Sequence, residues 1–263
     1  MSAFKDCGLA FRLANIDKVP EAPSAAAVRG TLVHRALQLL FGDEEPGGRT
    51  LAVALAKLRQ AVDELGDDPE YVALGLEPAE AAAFAAEAEE LVRRYFELED
   101  PNEVRVIGVE LLLEARVGPL VLRGIIDRLE LDADGGLVIT DYKTGRSPGS
   151  AYELPRMAGV QFYAYLCEHV LGRRPARIQL LHLSEPVAIG LVPSEQSMRG
   201  LHQRAEAVWA AIERACTNDD FQPKVSGHCD WCSYKPYCPA FGGDLSAVPV
   251  RRPVVEQALV GVP

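Results

Sequence analysis

The chain has 263 residues, of which 48% are hydrophobic and 25% are charged. This length allows one large domain or two small ones with an ample core. The net charge of −11 argues against a protein that coats nucleic acid without specificity. No apolar run reaches the ~18 residues of a membrane span, so we expect a cytoplasmic protein without membrane attachment.

The N-terminal third is predicted to be helical. A helix opens near Gly30 and its apolar side chains recur at the spacing of one helix face. They are Val33, Leu37, Leu40 and Phe41. Residues 20–27, rich in Pro and Ala, are predicted to be a linker before it. Two Ala/Glu-rich helices, 51–65 and 79–98, are predicted to form a helical lobe over residues 51–99.

The middle of the chain changes to runs of Val, Ile and Leu separated by turn residues, which predicts strands. The first three form an antiparallel meander: 104–117, 120–131 and 137–142. A helix (156–171), two further strands (176–183 and 187–191) and a long helix (194–215) complete the α/β pattern. Residues 244–263 contain prolines without a clear period and are predicted to be a tail.

The two hairpins of the meander align three carboxylates. If the second hairpin turns about Asp134, Asp127 faces Asp141. If the first turns at residues 118–119, Glu110 faces Asp127. Neighbouring Cβ atoms would then lie roughly 4.5–5.5 Å apart. A slip of one residue would move Glu110 to the other face, so its place in the row is conditional.

A lysine accompanies the acids. Lys143 lies two residues after Asp141 and shares its face, whereas Thr140 and Tyr142 point away. The same face is otherwise predicted to be apolar: Val121, Ile125, Leu129, Leu131, Leu137 and Ile139. Facing carboxylates on such a surface repel each other unless a cation lies between them, and carboxylate oxygens suit Mg²⁺ or Mn²⁺. Acids with an adjacent lysine are typical of metal-assisted phosphodiester hydrolysis.

A simpler alternative is that Asp127 pairs with a neighbouring arginine and that the segment 141–143 merely ends a strand. Arginines near the motifs are also candidates for a local DNA path on an acidic protein, or are ordinary solvated side chains. They are Arg123, Arg128, Arg146, Arg156, Arg173, Arg174 and Arg177.

Four segments together resemble the RecB-like branch of the PD-(D/E)XK nucleases. Residues 30–34 read G-T-L-V-H, residues 124–128 read G-I-I-D-R, residues 141–145 read D-Y-K-T-G and residues 161–165 read Q-F-Y-A-Y. The resemblance implies a restriction-endonuclease-like α/β core, with a mixed central sheet flanked by helices, to which the helical lobe is added.

The resemblance also implies roles for individual residues. Ligands for Mg or Mn would be His34, Asp127, Asp141 and the main-chain carbonyl of Tyr142. Lys143 would be the catalytic lysine, and Glu110 would assist the metal or the attacking water. Residues that position DNA would be Gln161, Tyr165 and Arg128. Without the motif, His34 would be interpreted as an ordinary core histidine.

Cysteines occur near both ends of the chain. Cys229, Cys232 and Cys238 form a C-x₂-C-x₅-C pattern, and Cys7 is the distant fourth. Four thiolates satisfy either a [4Fe–4S] cluster or tetrahedral zinc, and their spacing does not choose between them. The resemblance to iron–sulfur nucleases of this branch implies a [4Fe–4S] cluster that ties the chain ends together.

We therefore predict a metal-dependent DNA nuclease in a single domain, residues 1–243, followed by the tail. The chain has no P-loop, so exonuclease action on single-stranded or frayed ends is expected, in DNA repair or recombination and with a possible helicase or repair partner. One alternative is a CRISPR-adaptation nuclease of the same family. Another is a catalytically silent DNA-binding subunit of a helicase–nuclease complex.

Overall fold

The computed structural model describes residues 2–118, 120–145 and 153–248. Within it the chain divides into two compact units, described separately below: residues 23–204, and residues 1–22 together with 205–263. The predicted tail is described only as far as residue 248, and the rest of it lies outside the described residues. Among the described helices, none combines the length and apolar character that crossing a bilayer requires.

The element order agrees with the predicted one over most of the chain. The helices are α1 (Ser2–Asp6), α2 (Gly8–Phe11), α3 (Ala25–Asp43), α4 (Leu51–Leu65), α5 (Pro69–Val72), α6 (Pro78–Leu98), α7 (Glu153–Leu171) and α8 (Glu195–Asn218). The strands are β1 (Arg105–Val117), β2 (Leu120–Leu131), β3 (Leu137–Lys143), β4 (Arg177–His182) and β5 (Val187–Leu191).

Helix α3 begins earlier than predicted. Part of the predicted linker is already helical, because the Ser24 hydroxyl accepts a hydrogen bond from the Ala27 backbone N–H at 3.5 Å. This contact caps a free amide of the first turn. The short helix α5 and the two N-terminal helices were not predicted; they have four or five residues each, too few for a periodic pattern.

The five strands form one mixed sheet in the order β1-β2-β3-β4-β5. The first three are an antiparallel meander, β4 runs parallel to β3, and β5 is antiparallel to β4. A parallel neighbour requires a crossover connection, and α7 lies in that connection. One hydrophobic cluster joins the sheet to α3, α4 and α6, and a second joins it to α7. The predicted mixed sheet flanked by helices is therefore confirmed.

The meander has the predicted register. Arg128 lies opposite Thr140, so the next step along both strands brings Asp127 level with Asp141. The β1–β2 pairs on either side of Glu110 likewise bring it level with Asp127. The three carboxylates consequently lie at one level across three neighbouring strands.

The alternation of side chains along β2 changes at this level. Ile126 and Leu129 are three residues apart, yet both are fully buried in the same cluster. A regular strand would place them on opposite faces. The prediction of one continuous apolar face is therefore wrong in part, because Val121 and Ile125 are about half exposed (53% and 48%).

A charged group lies in the core beneath the acids. The guanidinium of Arg128 is fully buried and stacks over the Phe41 ring, 4.7 Å from its centroid. It contacts two carboxylates and three hydroxyls, those of Glu99, Glu130, Tyr95, Thr140 and Tyr142. A buried charge is tolerated only when it is paired and hydrogen-bonded in this way.

We predict that Arg128→Ala destabilises the protein by about 3–5 kcal/mol, because it leaves the carboxylates of Glu99 and Glu130 buried without a counter-charge. Urea unfolding followed by circular dichroism measures this. Arg93→Ala is the control: it removes an exposed ion pair with Glu89, whose loss costs about 0.5 kcal/mol or less. Equal losses for the two variants would contradict the prediction.

Candidate active site

Helix α3 approaches the end of β3 closely. A Cβ atom on Gly30 would lie 3.0 Å from the Thr144 hydroxyl oxygen, so glycine is the residue that allows this contact. His34 follows one turn later on the same helix face. Its Nε2 lies 3.2 Å from the carbonyl oxygen of Tyr142. The spacing of Gly30 and His34 thus places an imidazole beside the end of β3.

The other nitrogen of His34 faces two carboxylates. Its Nδ1 lies 3.5 Å from Asp127 Oδ2 and 3.8 Å from Glu110 Oε1. In the described part of the chain, this is the only group of three or more His, Cys, Asp or Glu whose ligand atoms all lie within 4.8 Å of one another. Asp127 Oδ2 also accepts a hydrogen bond of 2.7 Å from the Tyr142 backbone N–H. Glu110, conditional in the sequence, therefore belongs to the site.

Glu110 has an unusual backbone. Its φ of 45° lies in the left-handed region, although it is not glycine and belongs to a strand. Such a conformation costs about 1–3 kcal/mol and is commonly found at functional sites. It occurs at the level where the side-chain alternation changes, and it brings the carboxylate beside His34.

Asp141 and Lys143 form the other side of the site. Their side chains make an ion pair, as expected for residues on one face of β3. The Asp141 side chain is buried, whereas that of Lys143 is 37% exposed. Asp141 Oδ2 has no partner in hydrogen-bond geometry, so the ammonium satisfies it by charge alone. Asp141 is level with Asp127 but lies outside the close group around His34.

The charges make this group a fit for a cation. Burial and the nearby Asp141 carboxylate raise the pKa of Asp127 to about 6. Burial opposes protonation of His34, but the carboxylates of Glu110, Asp127 and Asp141 outweigh it and raise the pKa of His34. One imidazole and clustered carboxylate oxygens are ligands that Mg²⁺ or Mn²⁺ accepts.

Tyr163 of α7 was not singled out from the sequence. Burial, then the charges of Asp141, Asp127 and Glu110, raise its pKa to about 12. A Cβ on Gly124 would lie 3.0 Å from the Tyr163 ring and 2.9 Å from Leu166, so Gly124 leaves room for this helix. Gly124 in G-I-I-D-R indicates that another element packs closely on β2 at this point. The sequence alone does not say which element that is.

The residues predicted to position DNA are not together. Arg128 is wholly buried in the core, so its predicted contact with DNA is wrong. Tyr165 is also buried, and its hydroxyl lies 2.7 Å from Nδ1 of His202 in α8. Gln161 is partly exposed on α7. Roles for Gln161 and Tyr165 in positioning DNA stay predictions.

The smaller unit contains the four predicted ligand cysteines, which are free thiols. Cys7, Cys229, Cys232 and Cys238 all line one cavity of about 220 Å³. The Cys7 sulfur accepts hydrogen bonds from the backbone N–H groups of Ala10 (3.5 Å) and Lys224 (3.4 Å).

The thiol spacing differs from that of a zinc site. Zinc–sulfur bonds of about 2.3 Å in a tetrahedron hold the sulfurs roughly 3.8 Å apart. In the described chain no three of these sulfurs lie within 4.8 Å of one another. The arrangement is therefore wider than four thiolates around a single zinc ion.

Comparisons with known proteins bear on the family and the fold. A family model described as PD-(D/E)XK nuclease superfamily matches residues 1–239. A solved structure of a candidate exonuclease from Eubacterium rectale superposes with a TM-score of 0.55 at 13% identity, over 89% of this chain and 86% of that one. The structure of a protein called SSO0001 has a TM-score of 0.37 at 15% identity, over 71% of this chain and 80% of that one. No curated protein matches.

We predict that Mn²⁺ affinity falls as the pH is lowered through the pKa of Asp127, about 6. Binding requires neutral His34 and ionised Asp127, so affinity is full above both pKa values. Below them it declines roughly tenfold per pH unit for each proton displaced. Isothermal titration without DNA measures it. The exposed Glu70→Gln variant should behave as wild type, whereas Asp127→Asn should bind weakly at every pH; an affinity independent of pH would contradict the prediction.

Proposed function

The chain belongs to the PD-(D/E)XK nuclease superfamily, and on this premise we propose that it is a Mg²⁺- or Mn²⁺-dependent deoxyribonuclease that degrades single-stranded or frayed DNA ends. The observation that supports this most is the convergence of His34, Glu110 and Asp127 beside the Asp141–Lys143 ion pair. Each of these side chains has a function in phosphodiester hydrolysis.

The residues that would hold the metal are His34, Asp127 and Asp141, with Glu110 next to them and the Tyr142 carbonyl within reach of the imidazole. A divalent ion bound there lowers the pKa of water and polarises the phosphate. Asp127 is held in place by the Tyr142 N–H, whereas Asp141 Oδ2 contacts the Lys143 ammonium. The Asp127 oxygen is therefore already positioned, and a cation that binds Asp141 would share that carboxylate with Lys143.

Lys143 would stabilise the charge that develops on the phosphate. Its ammonium contacts Asp141 and is partly exposed, so it is held at the site yet accessible to a substrate. A fixed cation beside a reacting phosphate stabilises the transition state more than the ground state, where less charge is present. Lys143 is thus the residue through which the protein itself favours cleavage.

The preference for DNA ends rests on two further considerations. The chain has no P-loop and so cannot separate strands with ATP, which favours substrates that are already single-stranded or frayed. A helicase partner in repair or recombination would supply such strands. The likeness to the Eubacterium rectale candidate exonuclease is consistent with action at ends. We place the protein in the cytoplasm, where its free thiols would stay reduced.

We further propose that the four cysteines hold a [4Fe–4S] cluster. The cavity that they line and their wide spacing support a group larger than one zinc ion. Such a cluster would connect the N-terminal helices to the segment 229–238, and residues 1–243 would then form a single nuclease domain. The function of the cluster would be structural, because none of the residues that bind it belongs to the group of acids around His34.

We predict that the protein with Mn²⁺ cleaves labelled single-stranded DNA, and that EDTA stops the reaction. Asp141→Ala and Lys143→Ala should each reduce cleavage by at least about 100-fold, because they remove a ligand and a transition-state cation. The matched controls are Asp43→Ala and Lys57→Ala, which break an ion pair between helices α3 and α4.

Strands labelled at the 5′ or the 3′ end would reveal the polarity. No cleavage by the wild type would favour a catalytically silent DNA-binding subunit. Equal cleavage by the wild type and the two site variants would contradict the assignment of the active site.

We predict that the protein purified without oxygen is brown and absorbs near ~400 nm, as iron–sulfur proteins do. Cys232→Ser should lose both colour and iron, whereas Cys216→Ser should keep them, because Cys216 is exposed and lies outside the cavity. A colourless wild-type protein with stoichiometric zinc would reject the iron–sulfur cluster.

A further inference from the structure

Among the described residues, no helix or strand packs on one side of the β1–β2 hairpin. On the other side, Gly124 packs under the Tyr163 ring and Leu166 of α7. The uncovered side exposes large aliphatic side chains: Leu112 is 46% exposed and Ile125 is 48% exposed. These two residues lie opposite each other in the strand register. Exposed aliphatic side chains in one patch indicate a contact surface rather than scattered surface residues.

This patch adjoins the acids along both strands. Leu112 follows Glu110 by two residues, and Ile125 precedes Asp127 by two. At about 3.3 Å per residue, the aliphatic pair lies roughly 7 Å from the acid pair along the hairpin. That distance is about one nucleotide of an extended strand. Val121, which is 53% exposed, continues the patch further along β2.

Two arginines accompany the patch. Arg116 lies opposite Val121 and Arg123 lies opposite Glu114, and all four are exposed. Neither arginine forms an ion pair with any described residue, Glu114 included. By contrast, three helix arginines are each paired with a glutamate: Arg29, Arg35 and Arg94. On a chain of net charge −11, these are cations available to a phosphate backbone.

We infer that this uncovered side of the hairpin, formed by Leu112, Val121, Ile125, Arg116 and Arg123, binds the unpaired strand of DNA next to the acids. A duplex stacks its bases inside and presents phosphates and groove edges, so aliphatic side chains gain little from it. A single strand exposes base faces and sugars, which such side chains cover, while arginines contact its phosphates. The inference rests on the proposed function and names the surface that selects the single strand.

Fluorescence anisotropy with Ca²⁺, which keeps the DNA intact, tests the inference on the full chain. The probes are a labelled oligonucleotide and the same sequence as a duplex. The double variant L112N/I125N should bind the single strand about tenfold more weakly and the duplex almost unchanged. Arg123→Gln should reduce the salt dependence of binding by about one counter-ion.

The controls are Val187→Asn, an exposed aliphatic on β5 at the opposite edge of the sheet, and Arg59→Gln, an exposed arginine of α4. Both should bind as wild type. If L112N/I125N binds like these controls, or loses both substrates equally, the inference is overturned. In the first case the patch serves another partner, such as a protein.

Hydrolysis of bis(p-nitrophenyl) phosphate with Mn²⁺ separates this inference from the proposed function, since that ester reaches only the acids. Wild type and L112N/I125N should hydrolyse it at the same rate. If the wild type hydrolyses the ester but the hairpin variants bind DNA normally, only the inference fails. If the wild type hydrolyses neither ester nor DNA but the variants lose single-strand binding, only the proposed function fails.

Discussion

The site depends on one buried cation. The Arg128 guanidinium lies in the core, with no exposure, between Glu99 at the end of the helical lobe and Glu130 on its own strand. It also donates a hydrogen bond of 2.9 Å to the Tyr142 hydroxyl. An unpaired charge at this depth would be prohibitive, so the surrounding groups hold a fixed geometry. The lobe, β2 and β3 are thereby held to one another.

Tyr142 links the buried Arg128 to the residues of the site. Its side chain is anchored below the sheet by Arg128, while its backbone N–H binds Asp127 and its carbonyl lies beside His34. The pairing of β2 with β3 ends at Arg128 and Thr140, and one step further the Asp127 side chain accepts a hydrogen bond from this amide. The strand ladder is thus replaced, at one level, by a carboxylate. The carboxylates lie close together because they are at the end of the strand pairing, where a continuous sheet would have kept them apart.

The accumulated acids are unfavourable by themselves. Asp127 and Asp141 are buried at the same level, and Glu110 adds a strained backbone. Burial and the charge of Asp141 raise the pKa of Asp127, and a divalent ion can take the place of the proton that it would bind. The same electrostatic cost therefore links the metal requirement of the site to its pH dependence. Next to the acids, the exposed face of the hairpin provides aliphatic side chains and arginines that form no ion pair with a described residue.

The local sequence pattern determined the order of the elements and the strand register of this protein. The change from helical to strand periodicity, the turns at 118–119 and 132–136, and the resulting register follow from side-chain chemistry and turn geometry, so Glu110, Asp127 and Asp141 could be aligned from sequence alone. The i, i+2 spacing likewise placed Lys143 beside Asp141. These features are set by neighbours along the chain or across one turn.

Only the tertiary structure decided the rest. From the sequence, Arg128 could contact DNA or lie in the core, because its charge is the same in both places. Its buried position depends on a partner that is 29 residues away, the Glu99 carboxylate. The Tyr163 ring lies against Gly124 because α7 packs there, and Leu112 and Ile125 stay about half exposed because none of the described helices covers that side. Such outcomes depend on which elements pack together, a choice made by burial over the whole chain and not by local pattern.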